Sequence, residues 1–244
     1  MITRLLITGC LHEDGLADFF DGFGGGTSRE RILAIMKDSH IGSYGVIGLI
    51  FYFGLFYLLV SSLPIELAGC AILAGDPFCK GVSSMIINRL PYARKEEEAK
   101  NKTVYSRMTS REYVFSIICA FLPLLWLPQP VYLLAGIFPV ITWYFLTSFM
   151  KRKIQGYTGD CCGATFLLSE LSFYMGFVII YQTIYYGDLF NQTYLCRCSR
   201  RYAYGQTDVP LKPTFEEEAE EVKKGLSDHT FDKVWTSPLT AACA

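Results

Sequence analysis

Hydrophobic positions in this chain fall in long uninterrupted runs and show little alternation with polar ones. Tyr44–Leu63 and Val131–Met150 each hold twenty residues without a charge. About 20 apolar residues at ~1.5 Å rise match a ~30 Å hydrocarbon layer. Half-buried strands would alternate apolar and polar residues, and these runs do not. The pattern predicts an all-α, polytopic transmembrane helical bundle with spans at 44–63, 65–90, 113–127, 131–150 and 163–187. The second is the least apolar, since it carries Glu66, Asp76, Lys80 and Arg89. Pro128-Gln129-Pro130 closes a hairpin between the third and fourth, because proline ends one helix and sets the turn. Leu5–Leu11 is too short to span before His12 and Glu13 interrupt it. It reads as the exit end of a membrane helix whose beginning is absent.

Composition agrees with the lipid bilayer as the surrounding solvent. Hydrophobic residues make up 51% of the chain and charged ones only 18%, against roughly 25% charged in soluble domains. The net charge of -1 gives no reason to expect nucleic acid as a partner. The nine cysteines form no C-x-x-C pair and no Cys/His metal spacing. Lysine and arginine number four in 1–43, none in 63–64, six in 91–112, none in 128–130 and three in 151–160. Basic loops resist translocation, so these three are expected on the cytoplasmic side of the membrane. Residues 188–244 differ in character, with seven Lys/Arg, nine Asp/Glu and no spanning run. They read as a soluble, partly α/β-like appendage, with a helix expected at 214–226 and a strand at 230–236, so the division expected is 1–187 and 188–244.

The residues suited to chemistry lie in or beside the basic loops. Asp14, Asp18 and Asp21 are spaced i, i+4, i+7, one face of a helix. Three carboxylates on one face repel unless a cation is present. Oxygen ligands without thiol or imidazole suit Mg²⁺, which would bridge to substrate phosphates. The alternative is a solvated acidic surface, which the intervening Phe19, Phe20 and Phe23 disfavour. Next, Gly22–Gly26 with Gly24 and Gly25 precedes a helical pattern over 28–37, reading as a phosphate cradle beside Arg29 and Arg31. Asp38-Ser39-His40 has the letters of a hydrolase triad, but consecutive residues cannot adopt that geometry. Asp38 reads as an extra ligand or an arginine's partner. Asp76 and Lys80, i and i+4 in a membrane segment, are either a structural ion pair or a substrate contact, and Glu170 carries the same two readings. Arg94 could clamp a phosphate bidentately, and Asp160 could complete the metal site.

TGCLHEDGLADFFDGFGGG (Thr8–Gly26), RILAIMKDSHIGSYGVIGL (Arg31–Leu49), LPYAR (Leu90–Arg94) and GYTGDCCGA (Gly156–Ala164) together resemble the cobalamin synthase family, also called adenosylcobinamide-GDP ribazoletransferase. The resemblance runs from about residue 5 to 187 with the motifs in order. It implies a Mg²⁺-dependent, multi-pass enzyme of the bacterial inner membrane, working late in vitamin B12 biosynthesis with its active site facing the cytoplasm. Its substrates would be adenosylcobinamide-GDP and α-ribazole or the 5′-phosphate, and GMP would leave. The positions matching the family's motifs are His12, Asp14, Asp18, Asp21, Asp38, Tyr92, Arg94 and Asp160. A transfer of this type depends on positioning and charge neutralisation more than on a protein nucleophile. That fits a set rich in carboxylates, glycines and arginines.

Two departures accompany the resemblance. The family usually has more sequence before its His-x-Asp-Gly motif. The tail Tyr204–Thr240 resembles the first part of α-ribazole phosphatase, a histidine phosphatase. Where that family has an Arg-His nucleophile motif, this chain reads Leu195-Cys196-Arg197-Cys198, and Ala241 stands where an arginine is expected. The tail is therefore expected to be catalytically dead. Competing readings are an inactive product of a fused gene, a CDP-alcohol phosphotransferase-like lipid enzyme, and a cation or proton transporter using Asp76 and Glu170. A transporter would place its acids near the midplane, often in repeats; most acids here lie at one face.

Overall fold

A computed structural model describes residues 2–94 and 107–193, together with Glu220 and Lys224. The chain divides into two compact units, Met1–Tyr181 and Gln182–Ala244. The helix and strand expected at 214–226 and 230–236 lie outside the described residues, apart from Glu220 and Lys224, which are helical.

Every regular element described is helical. In order they are α1 Ile2–Thr8, α2 Leu11–Gly25, α3 Arg29–Ile35, α4 Ser43–Ser61, α5 Ile65–Ser84, α6 Ile86–Arg89, α7 Ser110–Phe121, α8 Ile137–Ile154 and α9 Gly159–Thr193. Four helical stretches are long and apolar enough to cross a membrane: Ser43–Ser61, Ile65–Arg89, Pro130–Ile154 and Gly159–Ile184. The expected span at 113–127 is not a single α-helix and is not among these four. There α7 stops after 12 residues and continues as a 3₁₀ turn, Leu122–Trp126. Pro123 is the physical reason, since its missing N–H and its ring break the α ladder. A second 3₁₀ turn, Pro130–Gly136, leads into α8. Thr109 and Glu112 form a capping box at the start of α7, the reciprocal arrangement that the T-x-x-E spacing allows.

Leu5–Leu11 does not form one helix. It breaks at Gly9 and Cys10, both with left-handed φ near 60°. The Cys10 N–H donates to the Leu5 carbonyl, a 6→1 bond that closes α1 and lets the chain turn into α2. Gly9 is the residue type that adopts this conformation without a Cβ penalty.

Helix α9 is the most enclosed of the four candidate spans and α4 the least. Phe173, Tyr174 and Phe177 of α9 are fully buried, and Tyr132 stacks on Phe177 with centroids 4.4 Å apart. Gly75 of α5 lies where a Cβ would meet the Phe173 ring at 2.7 Å, so the missing side chain is what allows α5 to approach α9. Outward-facing Ile47, Ile50, Phe51 and Leu58 on α4, and Ile141 and Phe145 on α8, are exposed. That is the expected surface of a bundle solvated by lipid.

Candidate active site

Helix α2 runs unbroken through Asp14, Asp18 and Asp21, so the i, i+4, i+7 spacing places all three on one face. Asp14 is exposed, while Asp18 and Asp21 are buried. The helix crosses the first turns of α9 at a contact between small residues. A Cβ on Gly15 would lie 3.1 Å from the Asp160 backbone, and one on Gly163 would lie 3.2 Å from the His12 carbonyl. This close approach sets the acidic segment of α2 against Asp160.

Two distant loops complete the mouth of this crossing. Tyr92 and Tyr157 form a parallel β-bridge. In it the Ala93 N–H donates to the Tyr157 carbonyl at 2.8 Å, and the Tyr157 N–H donates to the Pro91 carbonyl at 3.0 Å. Arg29 secures the pair, with Nε donating to the Ile154 carbonyl at 2.9 Å and Nη2 to the Ala93 carbonyl at 3.1 Å. Beside the bridge, Arg94 Nη2 lies 3.5 Å from Asp160 Oδ2. Thr158 caps α9, accepting from the Cys161 N–H and donating to Asp160. The LPYAR and GYTGD segments thus meet through backbone bonds.

Several expected roles change with the geometry. Gly24 and Gly25 belong to the last turn of α2, and the Gly26 N–H donates to the Gly22 carbonyl. The glycine run is therefore a helix end, which presents carbonyls, and is not a loop of free amides around an anion. Its glycines serve close packing: a Cβ on Gly24 would meet the Tyr44 ring at 2.7 Å. Asp21 accepts the Gly42 N–H at 2.7 Å and the Gly45 N–H at 2.9 Å, one on each oxygen. It acts as an N-cap for α4 from 21 residues away. Asp38 pairs with a histidine, not an arginine, at 2.7 Å from His40 Nδ1. The hydrogen bond from His40 holds the Asp38 carboxyl below its ordinary range, and Asp38 raises His40. Among the described residues no three His, Cys, Asp or Glu side chains converge as a metal-holding group.

A cavity of about 320 Å³ opens beside this end of α2, lined by Asp21, Gly25, Arg31, Asp38, His40 and Tyr44 among others. His12, at the other end, packs edge-on to Phe166 at 5.0 Å. Burial, opposed by Glu13, lowers its pKa, so the imidazole is neutral near pH 7. Lys80 Nζ donates to Asp76 at 2.7 Å and sits 5.2 Å over the same Phe166 ring. Of the two readings of Asp76 and Lys80, ion pair or substrate contact, the ion pair is formed in the structure.

The network that sequence reasoning missed lies deeper. Arg4 Nη1 donates to both Glu170 oxygens at 2.8 Å, and Nη2 donates to Tyr52 at 2.7 Å and Glu13 at 3.2 Å. The Tyr52 and Tyr174 hydroxyls each donate to Glu170 at 3.0 Å. Glu170 thus has a structural role, tying α9 to α1 and α4. The signal in the sequence was a lone arginine and a lone glutamate, each in an apolar segment.

Comparison with known proteins completes the picture. Residues 1–178 match the family model for cobalamin-5-phosphate synthase, and residues 196–244 match that of the histidine phosphatase superfamily, branch 1. The chain is 35% identical to an adenosylcobinamide-GDP ribazoletransferase of Leptospira interrogans over 75% of its own length and 73% of the relative's. To the enzymes of that name from Pseudoalteromonas atlantica and Shewanella woodyi it is 36% identical, covering 67% and 69% of those chains. No solved structure matches. With the acidic helix, the paired loops and the first three candidate spans inside a match over residues 1–178, the chain belongs to the cobalamin-5-phosphate synthase family.

Proposed function

We propose that this protein is a membrane adenosylcobinamide-GDP ribazoletransferase, joining α-ribazole or its 5′-phosphate to adenosylcobinamide-GDP with release of GMP. The observation that carries it is the meeting, at the α2–α9 crossing, of the acidic helix with the bridged loops that hold Arg94 and Asp160. Membership of the family removes the lipid phosphotransferase and transporter readings.

The donor set fits Mg²⁺. Its groups are carboxylates, and this ion keeps several waters while binding one or two protein carboxylates plus substrate phosphates, so a closed three-ligand cage is not required. Asp14, Asp18 and Asp160 would hold it. Asp21, whose two oxygens each take a backbone N–H, completes the acidic face chiefly by fixing α4. Bound there, the ion supplies neutralisation of charge on the transferring phosphoryl group. The protein's own residues position and exchange protons. Asp14 or Asp18 takes the proton of a ribose hydroxyl of ribazole, one that is free in the 5′-phosphate as well, as its oxygen bonds to phosphorus, with neutral His12 lining the approach. Arg94, Lys80 and Tyr92 contact the phosphate-bearing substrate, and Gly25, Arg31 and Asp38 border the cavity that receives the remainder, with Gly24 packed on Tyr44 of its lining.

The basic loops at 1–43, 91–112 and 151–160 support a site on the cytoplasmic face, and the family resemblance supports a bacterial inner membrane. Inverted membrane vesicles given both substrates should release GMP with Mg²⁺ and stop when it is chelated, whereas right-side-out vesicles should release none. GMP release that survives chelation, or comes only from right-side-out vesicles, overturns the metal or the orientation. Residues 188–244 are, on this reading, a separate histidine phosphatase fragment without activity. A chain ending at residue 189 should transfer ribazole at the full-length rate, and neither form should hydrolyse α-ribazole 5′-phosphate. A dead truncation would make the tail part of the enzyme.

A further inference from the structure

The Arg94 side chain is only 4% exposed, yet its Nε and Nη2 have no hydrogen-bond partner among the described residues. Its one charged neighbour there, Asp160 Oδ2 at 3.5 Å, is beyond a good hydrogen bond. A buried guanidinium stays charged, and leaving its donors unfilled is costly enough that native structures rarely do so. These two nitrogens form one edge of the guanidinium, the fork that grips two oxygens of a single phosphate.

The surroundings hold that fork in place. Ala93, the preceding residue, is bonded at its N–H to Tyr157 and at its carbonyl to Arg29. Asp160 stands in the first turn of the 35-residue α9, whose N-terminus favours negative charge. An anion is therefore the ligand that this corner is built for.

We propose that Arg94 binds the phosphate of the departing GMP, an assignment that rests on the transferase reading above. Chemistry divides the two ends of the reaction. A ribose hydroxyl free in both α-ribazole and its 5′-phosphate, and therefore not the 5′, forms a bond through its oxygen to the phosphorus carried by the cobinamide linker, and its proton passes to a carboxylate. The bond from that phosphorus to the bridging oxygen breaks, and GMP keeps the electron pair and the negative charge. In-line displacement puts the entering and leaving oxygens on opposite sides of phosphorus. A carboxylate face on α2 accepts a proton and repels an anion, while a guanidinium does the reverse. Asp14 and Asp18 thus suit the entering side, and Arg94, beyond Asp160, suits the leaving side.

Equilibrium binding of GMP and of guanosine to the full-length chain in nanodiscs tests this. Arg94→Gln should raise the Kd for GMP by about tenfold or more, and Arg94→Lys, a point charge without the fork, by less. Guanosine should bind all three forms alike, because it lacks the phosphate. In steady state the Ki of GMP as product inhibitor should rise in Arg94→Lys while the KM for α-ribazole stays unchanged. This second variant keeps the charge beside Asp160, so the comparison survives if Arg94→Gln does not fold. Unchanged GMP affinity with a fallen kcat would mean that Arg94 holds the transferred phosphoryl group, and the proposal is then wrong. If the wild-type chain transfers ribazole but binds GMP no better than guanosine, the proposal also fails while the transferase reading stands. A wild type that neither transfers nor binds GMP overturns both.

Discussion

Asp14→Asn and Asp18→Asn should each reduce ribazole transfer by at least about two orders of magnitude, since each removes a charge from the proposed Mg²⁺ site. Both chains should keep the thermal stability of the parent in detergent. Asp21→Asn should fall as far in transfer but for a different reason. Its carboxylate receives the Gly42 and Gly45 N–H groups at the head of α4, and an amide offers only one accepting oxygen. Loss of such a cap costs about 0.5–2 kcal/mol. The Asp21 variant should therefore lose stability together with activity, and raising Mg²⁺ should rescue Asp14→Asn or Asp18→Asn more than Asp21→Asn. Near-parental transfer by the Asp14 and Asp18 variants would sink the one-face metal site. Equal destabilisation of all three would mean that none is primarily a ligand.

The largest effect on stability is expected at Arg4. Glu170 is 1% exposed and takes both Arg4 bonds at 2.8 Å. Arg4→Met leaves Glu170 with two tyrosine hydroxyls and no countercharge, and breaking a buried pair in this way costs about 3–5 kcal/mol. Glu170→Leu should cost less, because the guanidinium loses its two-oxygen partner but keeps Glu13 at 3.2 Å and Tyr52 at 2.7 Å. The double variant should recover much of the loss, since replacing a buried ion pair by apolar residues is often neutral. Thermal denaturation of the purified chains in detergent measures all three. A double variant whose loss equals the sum of the two singles would show that the pair is not coupled, contrary to the geometry.

Family membership, the membrane bundle and the acidic helix face were legible in the sequence, because each depends on local order along the chain. Twenty apolar residues at ~1.5 Å rise must span or be buried, and i, i+4, i+7 must share a face whatever surrounds the helix. The single helix expected at 113–127 is broken for a reason also present in the sequence, Pro123, which a count of apolar residues does not register. The glycine run was misread because glycine permits both loops and tight helix ends, and the choice at Gly24 and Gly25 follows from packing against Tyr44 and α3.

What only the tertiary structure decided is which polar groups found each other. Arg4 and Glu170 are 166 residues apart, and Asp21 caps a helix that begins 22 residues later. Arg29, read as a phosphate neighbour, holds the carbonyls of Ala93 and Ile154. No spacing encodes such pairs. In an apolar interior, a charge or backbone amide takes whichever partner the packing of helices brings within about 3 Å, since leaving it alone costs more than any local preference.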